Sequence, residues 1–199
     1  PAAATPASDG EFVYLYFPSY GLVCFDFYGN KKWEYPLEFR PVNYGSGTSP
    51  IVVNDKLILN HACQSDAKLI VLNKVNGTLL WETKLTSATD YCTPVIWNNQ
   101  IILHQGLALI SYDVKNGNEI WKFNMPTAGT ATPIVFNDTL YINGWSPLGE
   151  KALFGEIDDM DKVFKEYDRN QDSILTKEEF PEGLVGANRP EAKEVENAT

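Results

Sequence analysis

Residues 168–179 read Asp-Arg-Asn-Gln-Asp-Ser-Ile-Leu-Thr-Lys-Glu-Glu. Oxygen-bearing groups fall at alternate positions, and a carboxylate closes the run. Asp168, Asn170 and Asp172 offer side-chain oxygens. Ile174 offers its carbonyl, Thr176 its hydroxyl or a water, and Glu179 both carboxylate oxygens. A hard cation such as calcium takes six to eight oxygens at about 2.3–2.6 Å, and alternation lets a short loop wrap one ion. The chemistry indicated is cation binding rather than catalysis. Every ligand position is filled from the loop itself, and no nucleophile or base stands beside it.

The spacing matches the EF-hand loop. Leu175, at position 8, is expected to point into the helix pair. Upstream, Ile157, Met160, Val163, Phe164 and Tyr167 recur at three- and four-residue steps, the period of an amphipathic helix. One position departs from the pattern. Ser173 stands where glycine makes the sharp turn, and a positive φ there costs about 1 kcal/mol or more. Pro181 shortens the second helix. No second loop follows, although EF-hands usually pair. Residues 150–182 are therefore read as an EF-hand holding calcium as a structural clip or weak sensor. Residues 183–199, polar and rich in Glu and Asn, are read as a flexible connector.

The rest of the chain has a different period. Between Tyr91 and Met125 four short runs rich in Val, Ile, Leu, Tyr and Trp are separated by Asn98-Asn99, Gln105-Gly106 and Lys115-Asn116-Gly117. These are half-buried strands joined by turns that tolerate positive φ. The pattern recurs. Ser/Thr-Pro opens a unit at Thr5-Pro6, Ser49-Pro50, Thr93-Pro94 and Thr132-Pro133, at steps of 44, 44 and 39 residues. Gly-x-x-x-Trp closes it at Gly29 to Trp33, Gly77 to Trp81 and Gly117 to Trp121. A polar residue, Asp26, Asn73 or Asp113, precedes each glycine. A repeat of about 40–50 residues with four strands is the mark of a propeller blade. The fold class is mainly β: a partial β-propeller of three full four-stranded blades plus half a blade, with a small α-helical EF-hand insertion. The blades span 1–37, 47–85, 91–125 and 131–145, within a β body of residues 1–149. Closed propellers take roughly four to eight blades. The missing strands of blade four are expected beyond Thr199, or the open edges are covered by another copy or chain.

Leu72 to Trp81 and Tyr112 to Trp121 resemble the tryptophan-docking motif of the PQQ-like, quinoprotein-type propeller repeats. The resemblance covers about Ala4 to Trp145. It implies that Trp33, Trp81 and Trp121 pack between blades, while the Asp/Asn and Gly residues shape the turn before each. It speaks to fold more than to activity, since many members bind no quinone.

Net charge is −10, which disfavours nucleic-acid phosphates as partners. Residues 151–199 carry 13 acidic against 7 basic side chains, so the acidic module hangs on a milder β body. No run approaches about 18 apolar residues, so no membrane span is expected. The chain opens at Pro1 without an apolar leader, as a processed or excised segment would. Cys24 reads as a buried thiol. Cys63 and Cys92 form a disulfide only if the compartment oxidises and their Cα atoms come within about 7 Å.

Strands alternate direction within a blade, so the long segments 36–48, 60–67, 86–92, 124–131 and the insertion after Trp145 emerge on one face. Long loops on a rigid scaffold are where binding resides. The residues there with chemistry to offer are Arg40, Asn43, Tyr44, His61, Gln64, Asp66, Asp90, Tyr91, His104 and Trp145. Two functions are consistent with this. One is a non-catalytic propeller that binds a protein, peptide or glycan; the resemblance implies that it is a scaffold of the bacterial cell envelope, periplasmic or extracellular. The other, implied by the resemblance, is a fragment of a PQQ-dependent quinoprotein dehydrogenase. Those enzymes often set adjacent cysteines against the quinone, and this chain has no such pair, so PQQ is not expected.

Overall fold

A computed structural model describes residues 4–38, 45–63, 66–86, 91–125, 127, 131–144, 160–173, 175, 176 and 179. It divides into two units, Pro1–Ser146 and Pro147–Thr199.

In the first unit, three antiparallel sheets repeat one design. Blade one is β1 (Ala7–Ser8), β2 (Phe12–Phe17), β3 (Gly21–Asp26) and β4 (Lys31–Pro36). Blade two is β5 (Ile51–Val53), β6 (Lys56–His61), β7 (Lys68–Asn73) and β8 (Leu79–Lys84). Blade three is β9 (Val95–Trp97), β10 (Gln100–Gln105), β11 (Ala108–Asp113) and β12 (Glu119–Asn124). The half blade is β13 (Ile134–Phe136) and β14 (Thr139–Tyr141). Strands pair in sequence order within each sheet. The third and fourth strands slip register at one equivalent place in each blade: Cys24/Phe25, Val71/Leu72 and Ser111/Tyr112. The first hairpins turn through Asn54, Asn98-Asn99 and Asn137-Asp138 at positive φ, the conformation that Asn and Asp tolerate best.

Side chains alternate between the two faces of each sheet. From β6, Leu57 and Leu59 join Tyr14, Tyr16, Leu22, Cys24 and Trp33 of blade one. Ile58, between them, joins Ile101, Leu103, Ile110 and Tyr112 of blade three. No blade buries a core alone, because the apolar clusters lie between blades.

Two devices fix the stacking. Near the Ser/Thr-Pro steps, each backbone N–H donates to the hydroxyl of the next blade: Thr5 to Ser49 (2.9 Å), Ser49 to Thr93 (3.0 Å) and Thr93 to Thr132 (3.0 Å). The second device is the indole. Trp33 Nε1 donates to the Lys74 carbonyl at 2.9 Å, and Trp81 Nε1 to that of Val114 at 3.1 Å. Asp26, Asn73 and Asp113 each accept backbone N–H groups of the turn that follows. Gly29, Gly77 and Gly117 each donate back to that residue's carbonyl. The third indole differs: Trp121 Nε1 donates to Gln100 Oε1 of its own blade at 2.9 Å. Trp121 also meets Trp97 edge-on, with centroids 6.4 Å apart. Trp97 Nε1 in turn donates to the Asp138 carbonyl of the half blade at 3.0 Å.

In the second unit, α1 (Met160–Tyr167) leads into the acidic loop. Ile157 of the expected apolar stripe lies outside the described residues.

Candidate functional site: the loop-rich face and the acidic loop

The second strands end on the face from which the blade-to-blade segments emerge. In blades one and three the next connection is tight, at 18–20 and 106–107, while blade two takes the longer path through Ala62 and Cys63. Arg40, Asn43, Tyr44, Gln64, Asp90 and Trp145 lie outside the described residues. The remaining four are described, and two of them are not surface groups.

His61 is 6% exposed. Its Nδ1 lies 2.9 Å from the Tyr16 hydroxyl of blade one, and the two rings meet edge-on. Burial pushes the Tyr16 phenol up to about 12, so at neutral pH it keeps its proton. His104 is 0% exposed. Its Nε2 lies 2.8 Å from the Thr127 carbonyl. A carbonyl only accepts, so Nε2 carries the hydrogen. His61 thus pins the seam of blades one and two, and His104 ties down the segment that follows β12. Asp66 pairs with Lys68 at 3.4 Å, and Lys68 also reaches Glu82 at 2.9 Å. Tyr91 is half-buried and lies against Gly47, where an added Cβ would come within 3.2 Å of it.

Sequence reasoning passed over Tyr16, Asn60 and Gln105. Yet the 44-residue step places Tyr16, Asn60 and His104 at one position, so stacking the repeats exposes a polar layer at the ends of the second strands. Cys63 and Cys92 are buried free thiols, not a disulfide, and Cys24 is likewise buried and free. Cys92 is occupied otherwise: its Sγ lies 3.4 Å from the backbone N of His104 and 3.2 Å from the Thr93 carbonyl.

In the acidic loop, Ser173 adopts φ 65° and Gln171 φ 58°. Serine thus takes the turn that glycine would make, and its N–H donates to Asp168 Oδ2 at 2.9 Å. Asp172 N–H donates to Asn170 Oδ1 at 3.0 Å. Glu179 folds back over the loop, accepting N–H groups of Arg169 (3.1 Å) and Thr176 (3.2 Å) and the Thr176 hydroxyl (2.9 Å). The Thr176 N–H and hydroxyl foremost hold the Glu179 carboxyl below its ordinary range. Ile174 lies outside the described residues. Among the described residues no three His, Cys, Asp or Glu side chains converge as a ready metal group. The donor set nonetheless suits a hard cation. It is all oxygen, and Asp168 Oδ1 is buried with no partner from the protein.

Among the described residues no helix is long and apolar enough to cross a membrane. No curated protein matches this sequence. Among solved structures, BamB from Moraxella catarrhalis is similar at a TM-score of 0.60 and 16% identity, over 72% of this chain and 43% of that one. The quinohemoprotein alcohol dehydrogenase from Comamonas testosteroni is similar at 0.51 and 18% identity, over 62% of this chain and 21% of that one. At such identities the likeness carries the fold, and the chain spans less than half the length of either protein. A family model described as outer membrane protein assembly factor BamB matches residues 1–150. The chain therefore belongs to that family of PQQ-like repeat proteins.

Proposed function

We propose that this chain is a non-catalytic binding and scaffold module of the bacterial cell envelope, periplasmic or extracellular. It engages a protein, peptide or glycan through its loop-rich face. The observation that carries this reading is the segregation of connections. Short turns occupy one end of every blade, and the blade-to-blade segments occupy the other, above a pinned polar layer. Kinship with an outer membrane protein assembly factor favours a protein partner.

The acidic loop adds a calcium-binding EF-hand held by Asp168, Asn170, Asp172, Ile174, Thr176 and Glu179. Glu179 would exchange its loop N–H partners for the cation. The remaining blades of a longer ring, or a second copy, cover the open edge. There Ile134 (65% exposed), Phe136 (62%) and Tyr141 (53%) stand uncovered, apolar surface that soluble proteins rarely leave free.

The test is face-resolved photo-crosslinking. A crosslinker at Asp66, on the loop-rich face, is expected to capture an envelope component. One at Tyr28, a 92% exposed residue on the opposite face, is expected to capture none. Equal capture from both faces would refute the reading. The likeness in fold to a quinohemoprotein dehydrogenase supports the alternative, a fragment of a PQQ-dependent enzyme. Stoichiometric quinone uptake in calcium, with alcohol-dependent dye reduction, would decide for it.

A further inference from the structure

The polar layer beneath the loop-rich face contains an unmatched pair. At the seam of blades one and two, Tyr16 and His61 meet directly. The 44-residue step carries that pair to Asn60 and Gln105 at the seam of blades two and three. Both face this seam. Asn60 stands two residues after Ile58 on its strand, and Gln105 two after Leu103. Ile58 and Leu103 share the apolar cluster between these blades.

Asn60 is 0% and Gln105 2% exposed. Asn60 Nδ2 donates to the Cys92 carbonyl at 2.9 Å. That bond fixes the orientation of the amide, because a carbonyl cannot donate. Its Oδ1 is left buried with no partner from the protein. Gln105 Oε1 accepts the Tyr112 hydroxyl at 3.1 Å, and Nε2 is left in the same condition. One orphan is an acceptor and the other a donor. Leaving either unbonded forfeits the hydration it had in the unfolded chain with nothing in return. The two orphan atoms therefore do not bond each other, as Tyr16 and His61 do, and asparagine is the shorter side chain at that position.

We propose that this seam binds a water molecule, which donates to Asn60 Oδ1 and accepts from Gln105 Nε2. The seam is thereby joined by a bridged rung where its neighbour has a direct one. The occupant is uncharged: among the described residues no Asp, Glu, Lys or Arg is buried, and an unpaired buried ion would cost far more than a water. It is small, because both atoms are shielded from bulk solvent. Two fixed polar partners satisfy the minimum that an internal water requires.

An atomic-resolution crystal structure of the chain tests this. The expected result is an isolated density peak within hydrogen-bond distance of both atoms. A direct Asn60–Gln105 bond, or no peak, overturns the proposal. In solution, water-proton relaxation dispersion counts long-lived internal waters. Gln105→Met, which keeps the length and removes the donor, is expected to lose one of them. An unchanged count in the folded variant overturns it as well.

Discussion

Asp9 fastens blade one to blade two. Its Oδ2 lies 2.7 Å from Lys74 Nζ of the neighbouring blade and takes the Tyr14 hydroxyl at 3.0 Å. Its Oδ1 accepts the N–H groups of Phe12 (2.8 Å) and Glu11 (3.0 Å). Burial alone would raise this carboxyl. The Lys74 ammonium and the three other donors outweigh burial and hold it well below its ordinary 3.8. A depressed carboxyl contributes stability above its unfolded pKa and loses it as pH falls toward the folded one. Asp9→Asn is therefore expected to cost roughly 1–3 kcal/mol near neutral pH, with the gap from wild type closing below about pH 4. Denaturant melts at several pH values check this, and a pH-independent gap would contradict it. The pairing was not legible in the sequence, because Asp9 and Lys74 lie in different repeats and only the stacking of blades brings them together. His61 and His104 were misplaced for a related reason. A polar residue at a strand end can face water or a seam, and only the neighbouring blade decides which.

At the scale of the element, the docking turn was legible because its requirements are local. Asp or Asn caps the turn, glycine takes the left-handed backbone, and tryptophan follows four residues later. The strands of blade three fall on the four apolar runs that Asn98-Asn99, Gln105-Gly106 and Lys115-Asn116-Gly117 separate in the sequence. What could not be read was where the last indole goes. Trp121 follows the same motif but finds its acceptor in Gln100, which also takes the Ser111 hydroxyl. The glycines allow a controlled comparison. Gly10 has φ +89° and nothing within 4 Å of an added Cβ. Gly117 has φ +74°, and an added Cβ would meet Trp81 at 2.5 Å and crowd the Thr83 hydroxyl. Gly10→Ala is expected to cost about 1–2 kcal/mol from backbone strain. Gly117→Ala is expected to cost roughly 1–3 kcal/mol more, because the indole must move. Equal losses in chemical denaturation would show that the indole is not held there.

At the scale of the molecule, two kinds of order are joined in one chain: stacked sheets whose cores lie between blades, and an acidic helix–loop with its own chemistry. The first was legible because three landmarks, Ser/Thr-Pro, a polar residue and Gly-x-x-x-Trp, recur in one order. For the second the sequence offers ligand spacing, and spacing alone does not set whether carboxylates converge. Calcium is expected to raise the melting temperature by several degrees, since a ligand at a hundred times its Kd stabilises by about 2.7 kcal/mol. Glu179→Gln is expected to abolish that rise. A wild-type melt unchanged by chelator would count against the cation site.

The stack itself depends on Trp33 and Trp81 each gripping the next blade. A double-mutant cycle between Trp33→Leu and Gly77→Ala measures that grip, since a Cβ on Gly77 would lie 2.6 Å from the Trp33 ring. Removing the ring should relieve most of the alanine penalty, giving a coupling of about 1 kcal/mol or more across the seam. Losses that simply add, to within about 0.3–0.5 kcal/mol, would mean that the blades are not docked through their tryptophans.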